Sequence, residues 1–375
     1  MILSGRVVTV SRTRIHCGLN SLDGLHKLLE SPEYRKSRVF ILVDNNTGKH
    51  CLPALVEVCP LLDSAMMFEI EEGETSKSLD VAAKIWSELL SAKADRQSLL
   101  ISLGGGVVSD LGGFIAAGYK RGISYINIPT SLLGMVDASI GGKTGVNHLN
   151  LKNQLGVFYS PIAVYIDPRF LKTLPLAHIR SGFAEIVKSA LVGDAVLWRR
   201  ILRQGAGNIL AEDTSGKPWQ DMILKTVIFK NRLACQDFRE QKLRKILNFG
   251  HTIGHALESL SLGSNDARLL HGDAVALGMI SETWLSHLKA GLDETETPEI
   301  ISFLKSAYRT QIEVLEGSIK NRTSAYDSIF DLLLHDKKNA EGKLKFTLLQ
   351  AVGKPKINLE AGRDEIAAAL DKIFD

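Results

Sequence analysis

The first half of the chain alternates short apolar runs with amphipathic stretches. RVFILVD (38–44), SLLISL (98–103) and ISYINIP (123–129) are apolar runs of strand length, the pattern of strands buried on both faces. Between the first two, LDVAAKIWSELLSA (79–92) places Val81, Ile85 and Leu89 four apart, which predicts a helix with one buried face. Strands alternating with helices predict a mostly parallel sheet covered by helices. After about Pro175 the texture changes. Helical periodicity runs through 176–204, 217–236, 243–260, 271–290 and 297–315. The pattern therefore predicts a Rossmann-like α/β domain at 1–176 and an all-helical domain at 177–375. Within the second, a short hairpin is expected in KLKFTLLQAVGKPKI (343–357), where apolar runs flank a turn, and DEIAAALDKIFD reads as a closing helix.

Composition narrows the class. A chain of 375 residues suits two domains and buries enough surface to need no disulfide or structural metal. A net charge of +3 is too small for a nucleic-acid surface. MILSGRVVTVSR lacks the basic start and apolar run of a signal peptide, and no uncharged apolar stretch is long enough to span a membrane. Cys17, Cys51, Cys59 and Cys235 show no CxxC spacing and are expected as free thiols in a reducing cytoplasm.

The first candidate chemistry is a glycine turn. In SLLISLGGGVVSDLGGF, Gly104, Gly105 and Gly106 lie between a strand and a helix, where backbone can approach a phosphate and helix N–H groups can bind it. The sequence is neither GxGxxG nor a Walker A loop, so a plain tight turn remains open. Asp110 could simply favour the helix dipole. Asp44, at a strand end, could hold a ribose hydroxyl and so favour NAD over NADP. Downstream, 128–161 combines turns with Asp137, Lys143, Lys152 and Asn153. Lysines on glycine-supported turns suit anions, although any single lysine is more often solvated surface.

The second half carries the metal-type residues. Glu185 and Lys188 stand three apart among Phe183, Ile186, Val187 and Leu191, so a carboxylate is expected on a buried helix, where it needs a partner or a metal. His251 and His255 have the i, i+4 spacing of a helical metal pair. Thr252 follows the first histidine where a zinc protease needs Glu, so that reading fails. His271 opens a further helical stretch. Glu185, His251 and His271 can supply the three ligands of a catalytic zinc site, leaving His255 one turn away for proton transfer. Ordinary structural histidines remain the alternative.

Many separated motifs then agree in order. They are EGETSK (72–77), LGGGVVSDLGGF (103–114), YKRG (119–122), IPTSLLGMVDASIGGKTGVN (128–147), KNQLGVFYSP (152–161), LKTLP (171–175), GFAEIVK (182–188), LNFGHTIGHALE (247–258), LLHGDAVALGM (269–279) and DKK (336–338). Together they resemble the 3-dehydroquinate synthase family, a branch of the sugar-phosphate cyclases. The resemblance runs from about Asp44 to about 349, and the first 35 residues carry little of it. Ser131 stands where that family often has Thr, and Ser109 where it often has Gly; both keep a small side chain.

The resemblance implies conversion of 3-deoxy-D-arabino-heptulosonate 7-phosphate to 3-dehydroquinate and phosphate, a step of the shikimate pathway. It implies transient oxidation at C5 by NAD, β-elimination of phosphate, re-reduction, ring opening and aldol closure, with one divalent metal, zinc or cobalt. Asp44, Glu74, Lys77, Gly105, Gly106, Asp110, Thr130, Ser131 and Thr173 would hold NAD. Glu185, His251 and His271 would hold the metal. Arg121, Asp137, Lys143, Lys152, Asn153, Lys188, Lys230, Arg244, Asn248, His255, Lys337 and Lys338 would meet the substrate. Within that set Lys143, Lys188, Arg244, Asn248 and His255 would serve catalysis, with Glu240 placed for proton transfer. Arg121 would reach the phosphate in a neighbouring subunit, implying a homodimer, with neither nucleic acid nor membrane as partner. Three rivals stand beside this expectation. A sibling cyclase acting on sedoheptulose 7-phosphate would lack the carboxylate clamp of Arg244, Asn248 and the DKK lysines. A metal-dependent alcohol or glycerol dehydrogenase would release NADH. A non-catalytic NAD- or metal-binding protein would have no use for the acid/base set.

Overall fold

The buried apolar runs pair into one sheet. The computed structural model of the chain describes residues 6–10, 13–149, 151–261, 268–319, 321–335 and 344–375. Strands β1 (Arg6–Val10), β2 (Thr13–Cys17), β3 (Val39–Asp44), β4 (Met66–Ile70), β5 (Leu99–Gly104) and β6 (Ser124–Pro129) are followed by a hairpin of β7 (Lys143–His148) and β8 (Leu151–Phe158), and then by β9 (Ala163–Ile166). The sheet runs β1-β2-β9-β6-β5-β3-β4. Only β1 is antiparallel to its neighbour, so six strands are parallel. Every residue of β5 is buried, as its unbroken apolar run requires. The helices Leu79–Ser91 and Gly106–Gly118 cover this region, and their Leu89, Leu111 and Ile115 share a core with Leu42 and Leu100.

The chain divides into two compact units. The first holds residues up to Pro175 together with Asp213–Arg239; the second holds Leu176–Glu212 and Glu240–Asp375. The sequence division at 176/177 lies one residue from the first crossing. The helix Lys217–Gln236, assigned from sequence to the second domain, groups instead with the first unit, where its Lys230 bonds Asp137. Periodicity marks a helix but not the neighbour it packs against.

The second unit is built on the helices Leu176–Gly193 and His271–Ala290, both buried along most of their length. It is helical but not all-helical, because β10 (Lys345–Ala351) and β11 (Lys354–Glu360) form the expected hairpin. The tail closes as a helix, Arg363–Phe374. Three of the long helical patterns break, the one at 243–260 into a 3-10 turn and a helix starting at His251. The first stops at Gly193, and Asp194 starts a new helix, Ala195–Gln204, by accepting the Leu197 N–H at 2.9 Å. The last divides into Glu296–Ala307 and Arg309–Ser318. Among the described residues, no helix is long and apolar enough to cross a membrane. All four cysteines are free thiols.

Candidate active site

In the second unit the site grows from the helix Leu176–Gly193. Residues Ser181 to Val192 are all buried, so Glu185, 1% exposed, cannot meet its charge with water. Lys188, one turn on and equally buried, pairs with Glu185 Oε2. The other oxygen, Oε1, stands 3.5 Å from His251 Nε2 and 3.6 Å from His271 Nε2. The helix His271–Ala290 comes this close because Gly272 has no side chain: a Cβ there would lie 1.8 Å from the Ser181 carbonyl oxygen. The His251 helix crosses the same element at Gly278, where a Cβ would lie 2.1 Å from the Gly250 carbonyl oxygen.

His251 opens its own helix, His251–Ser261, and His255 follows one turn later. The ligand nitrogens of His251, His255 and His271 lie within 4.8 Å of one another. Two of these imidazoles are oriented from behind. His251 Nδ1 lies 3.2 Å from the Phe249 carbonyl, and His271 Nδ1 lies 3.2 Å from Glu258 Oε2. Both partners only accept, so Nδ1 carries a proton and Nε2 is the ring nitrogen turned toward Glu185. Burial pulls the His271 imidazole down, but Glu185 and Glu258 outweigh it and push it up to about 10. The pocket thus calls for a cation. A buried carboxylate with two back-bonded imidazoles is a donor set that fits a divalent ion of the zinc or cobalt type.

In the same unit, Glu240 gathers two further predicted residues. Asn248 Nδ2 donates to Glu240 Oε1 at 2.9 Å, and Arg244 Nε stands 3.9 Å from Oε2. Arg244 is 2% exposed, which marks it as an organised cation rather than a solvated one.

The first unit presents a second set at the carboxyl ends of its parallel strands. Here the chain order turns around: β4 lies beyond β3 on one side, and β6 beyond β5 on the other. Ligands of open α/β sheets bind at such a switch point. Asp44 ends β3, the glycine turn follows β5, and Thr130 and Ser131 follow β6. No side chain caps the helix Gly106–Gly118, so its first N–H groups face outward from a bare glycine turn. A Cβ at Gly105 would come 3.2 Å from Ser131 Oγ, which leaves backbone as the wall of this cradle. This fits a dinucleotide pyrophosphate. Thr130 and Thr173 both reach the Cys51 thiol, with the Asp44 carboxylate nearby. Asp44 also caps the helix Asn45–His50 through Thr47.

A polar chain continues from there. Lys77 Nζ donates to Asp110 Oδ2 at 2.5 Å and to Asn153 Oδ1 at 2.6 Å. Asn153 N–H donates to Asn147 Oδ1, and Asn147 Nδ2 donates to Glu74 Oε2, at 3.0 and 2.9 Å. Lys152 lies 3.9 Å from Glu74. Lys230 pairs with the Asp137 carboxylate and bonds its carbonyl. Asp110 stands a full turn inside its helix, so the dipole reading is replaced by the Lys77 pair; burial still raises its carboxyl despite that lysine.

The chain is similar to known proteins along most of its length. Family models described as 3-dehydroquinate synthase N-terminal and C-terminal match residues 67–181 and 182–339. The 3-dehydroquinate synthase of Parabacteroides distasonis is 40% identical over 348 residues, covering 92% of this chain and 94% of that protein. The chain belongs to the 3-dehydroquinate synthase family. The Dehalococcoides mccartyi (strain 195) member is 39% identical over 311 residues, 82% of each chain. Solved structures show how widely the fold is shared. A 2-deoxy-scyllo-inosose synthase solved with carbaglucose-6-phosphate, NAD+ and Co2+ superposes with a TM-score of 0.81 at 24% identity, covering 97% and 99% of the two chains. A probable glycerol dehydrogenase of Sinorhizobium meliloti gives 0.65 at 14%, covering 98% of each. The fold alone therefore embraces the rivals, and the sequence relationship separates them.

Of the predicted 3-dehydroquinate synthase residues, Arg121 and Lys143 are exposed. Lys337 and Lys338 lie outside the described residues. Sequence reasoning missed Asn147, although it ends a quoted motif. It also missed Glu258 and Glu282, whose partners lie on other helices.

Proposed function

We infer that this protein is a 3-dehydroquinate synthase, closing 3-deoxy-D-arabino-heptulosonate 7-phosphate to 3-dehydroquinate with loss of phosphate. The observation that carries this is the buried Glu185 carboxylate facing His251 and His271, in a chain 40% identical to a 3-dehydroquinate synthase over nearly its whole length. When bound, NAD supplies a reversible hydride acceptor and the divalent metal a Lewis acid for hydroxyl and carbonyl oxygens.

The chain's own residues then have separable tasks. Glu185, His251 and His271 hold the metal. The turn at Gly105 and Gly106 receives the pyrophosphate on backbone N–H groups, with Asp44, Glu74, Lys77, Asp110, Thr130, Ser131 and Thr173 around the rest of NAD. Arg244 and Asn248 offer planar and amide donors to an anionic oxygen, and Lys188, paired with Glu185, offers an ammonium. Lys143, Lys152, Asn153, Asp137 and Lys230 supply the remaining polar contacts. His255, left over from the ligand set, moves a proton at Nε2 or Nδ1, and Glu240 holds Arg244 and Asn248 in place. Arg121, exposed at its turn, is assigned to a partner's phosphate in a homodimer. A cytoplasmic location goes with this biosynthetic role.

The test supplies purified protein with zinc or cobalt and catalytic NAD, then compares two substrates. Formation of 3-dehydroquinate from 3-deoxy-D-arabino-heptulosonate 7-phosphate, with sedoheptulose 7-phosphate inert, is the expected result. Turnover of sedoheptulose 7-phosphate alone would move the protein to the sibling cyclases.

A further inference from the structure

Two buried glutamates tie together the helices that carry the histidines. Glu258 sits on the His251 helix and reaches across to His271 Nδ1. Glu282 sits on the His271 helix and reaches back. Its Oε2 accepts the Gly250 N–H at 2.6 Å, and its Oε1 accepts those of Thr252 and Ile253 at 3.0 and 3.1 Å. These donors open the His251 helix. Gly250, which precedes it, has no side chain to cap them, so the cap comes from the neighbouring helix. Glu258 is 4% exposed and Glu282 is fully buried. Each histidine-bearing helix is thus gripped by a carboxylate from the other.

We propose that Glu258 is a positioning residue for the metal site, holding His271 in one tautomer and orientation against a helix frame that Glu282 fixes. This rests on the reading that Glu185, His251 and His271 are the ligands. A carboxylate only accepts, so its bond to Nδ1 commits the proton to that nitrogen and leaves Nε2 as the donor atom. It also removes the freedom of the ring to rotate, and its charge raises the basicity of Nε2. The His251 ring receives the weaker version of the same support, a neutral carbonyl from Phe249. The metal site is therefore asymmetric, and His271 is the ligand whose placement depends on a side chain that substitution can remove.

The test is cobalt binding by competition against a chelator, together with the visible absorption of bound Co2+, for wild type, Glu258→Ala, Glu258→Asp, Glu258→Gln and His271→Ala. Loss of such supporting partners typically weakens metal binding about 10–100-fold. Glu258→Ala should show that loss at unchanged stoichiometry, with an altered cobalt spectrum. Glu258→Asp keeps the charge but falls short of Nδ1, and should also bind more weakly. Glu258→Gln retains a carbonyl acceptor and should recover much of the affinity. If Glu258→Ala fails to fold by circular dichroism, Glu258→Asp carries the comparison. Wild-type affinity and spectrum in Glu258→Asp or a folded Glu258→Ala, with binding lost in His271→Ala, would overturn the proposal and leave the ligand reading standing. Wild-type affinity in His271→Ala would instead overturn the ligand reading.

Discussion

Four donors gather around the Glu185 carboxylate's side of the pocket, and a catalytic site of the zinc type uses three. Glu185, His251 and His271 are read as those three, which leaves His255 for proton transfer. Its replacement by Ala should leave metal content near one per chain while slowing turnover by about 10²–10⁴-fold, the usual contribution of a proton-transferring group. His251→Ala should lose the metal itself; metal analysis beside kcat separates the two. A different pairing dominates the first unit. Lys77→Met would strand the mostly buried Asp110 carboxylate, and breaking a buried pair from one side costs about 3 kcal/mol. Urea unfolding measures it. Burial pushes the Cys17 and Cys51 thiols up to about 12 and about 11, with the Asp167 and Asp44 carboxylates adding to the effect. Both values lie above the ordinary 9.0, so this stability is fully present below pH 9 and is lost as pH rises towards them. The alkaline fall in stability should shrink in Cys17→Ala and Cys51→Ala compared with wild type at matched pH. At this scale the sequence showed residue types well: histidines four apart and an acid in an apolar run announce themselves. Glu258 and Glu282 did not, because an acid on a helix reads as solvated until its partner on another helix is known.

Strands and helices were legible where burial imposes a single pattern. The runs at 38–44, 98–103 and 123–129 became β3, β5 and β6 to within a residue or so at each end, and 217–236 and 271–290 became helices with those bounds. The hairpin β7–β8 was not read as strands because β8 is largely exposed and its sequence is mixed. β4 hid for a related reason: it is only five residues long, its run is broken by Glu69, and Met66, Met67 and Glu69 are all exposed. The pattern at 243–260 divides into a 3-10 turn, Leu243–Asn248, and a helix starting at His251. That start is set by Glu282, which is more than thirty residues away. Close helix crossing makes Gly278 a sensitive position. Gly278→Ala forces a Cβ toward the Gly250 carbonyl and should cost about 1–3 kcal/mol by overpacking. Thermal unfolding should show the loss, with weaker metal binding accompanying it because His251 follows Gly250 directly.

Across the whole chain, the two candidate ligand sets fall in two compact units, and the chain leaves the first unit, returns to it at Asp213–Arg239, and leaves again. Neither periodicity nor composition reveals that return. Each unit should respond to its own ligand. NAD at a hundred times its dissociation constant should stabilise the protein by about 2.7 kcal/mol, raising the unfolding midpoint, and Gly105→Val should abolish that rise. A cyclase regenerates its NAD in every turnover, so counting phosphate against NADH tests this protein most directly. With 3-deoxy-D-arabino-heptulosonate 7-phosphate, added zinc or cobalt and NAD at the enzyme's own concentration, many phosphates should be released per NAD with no accumulation of NADH. NADH rising in step with product, or release that stops after one turnover per NAD, would contradict the account and place the protein among the dehydrogenases that share its fold.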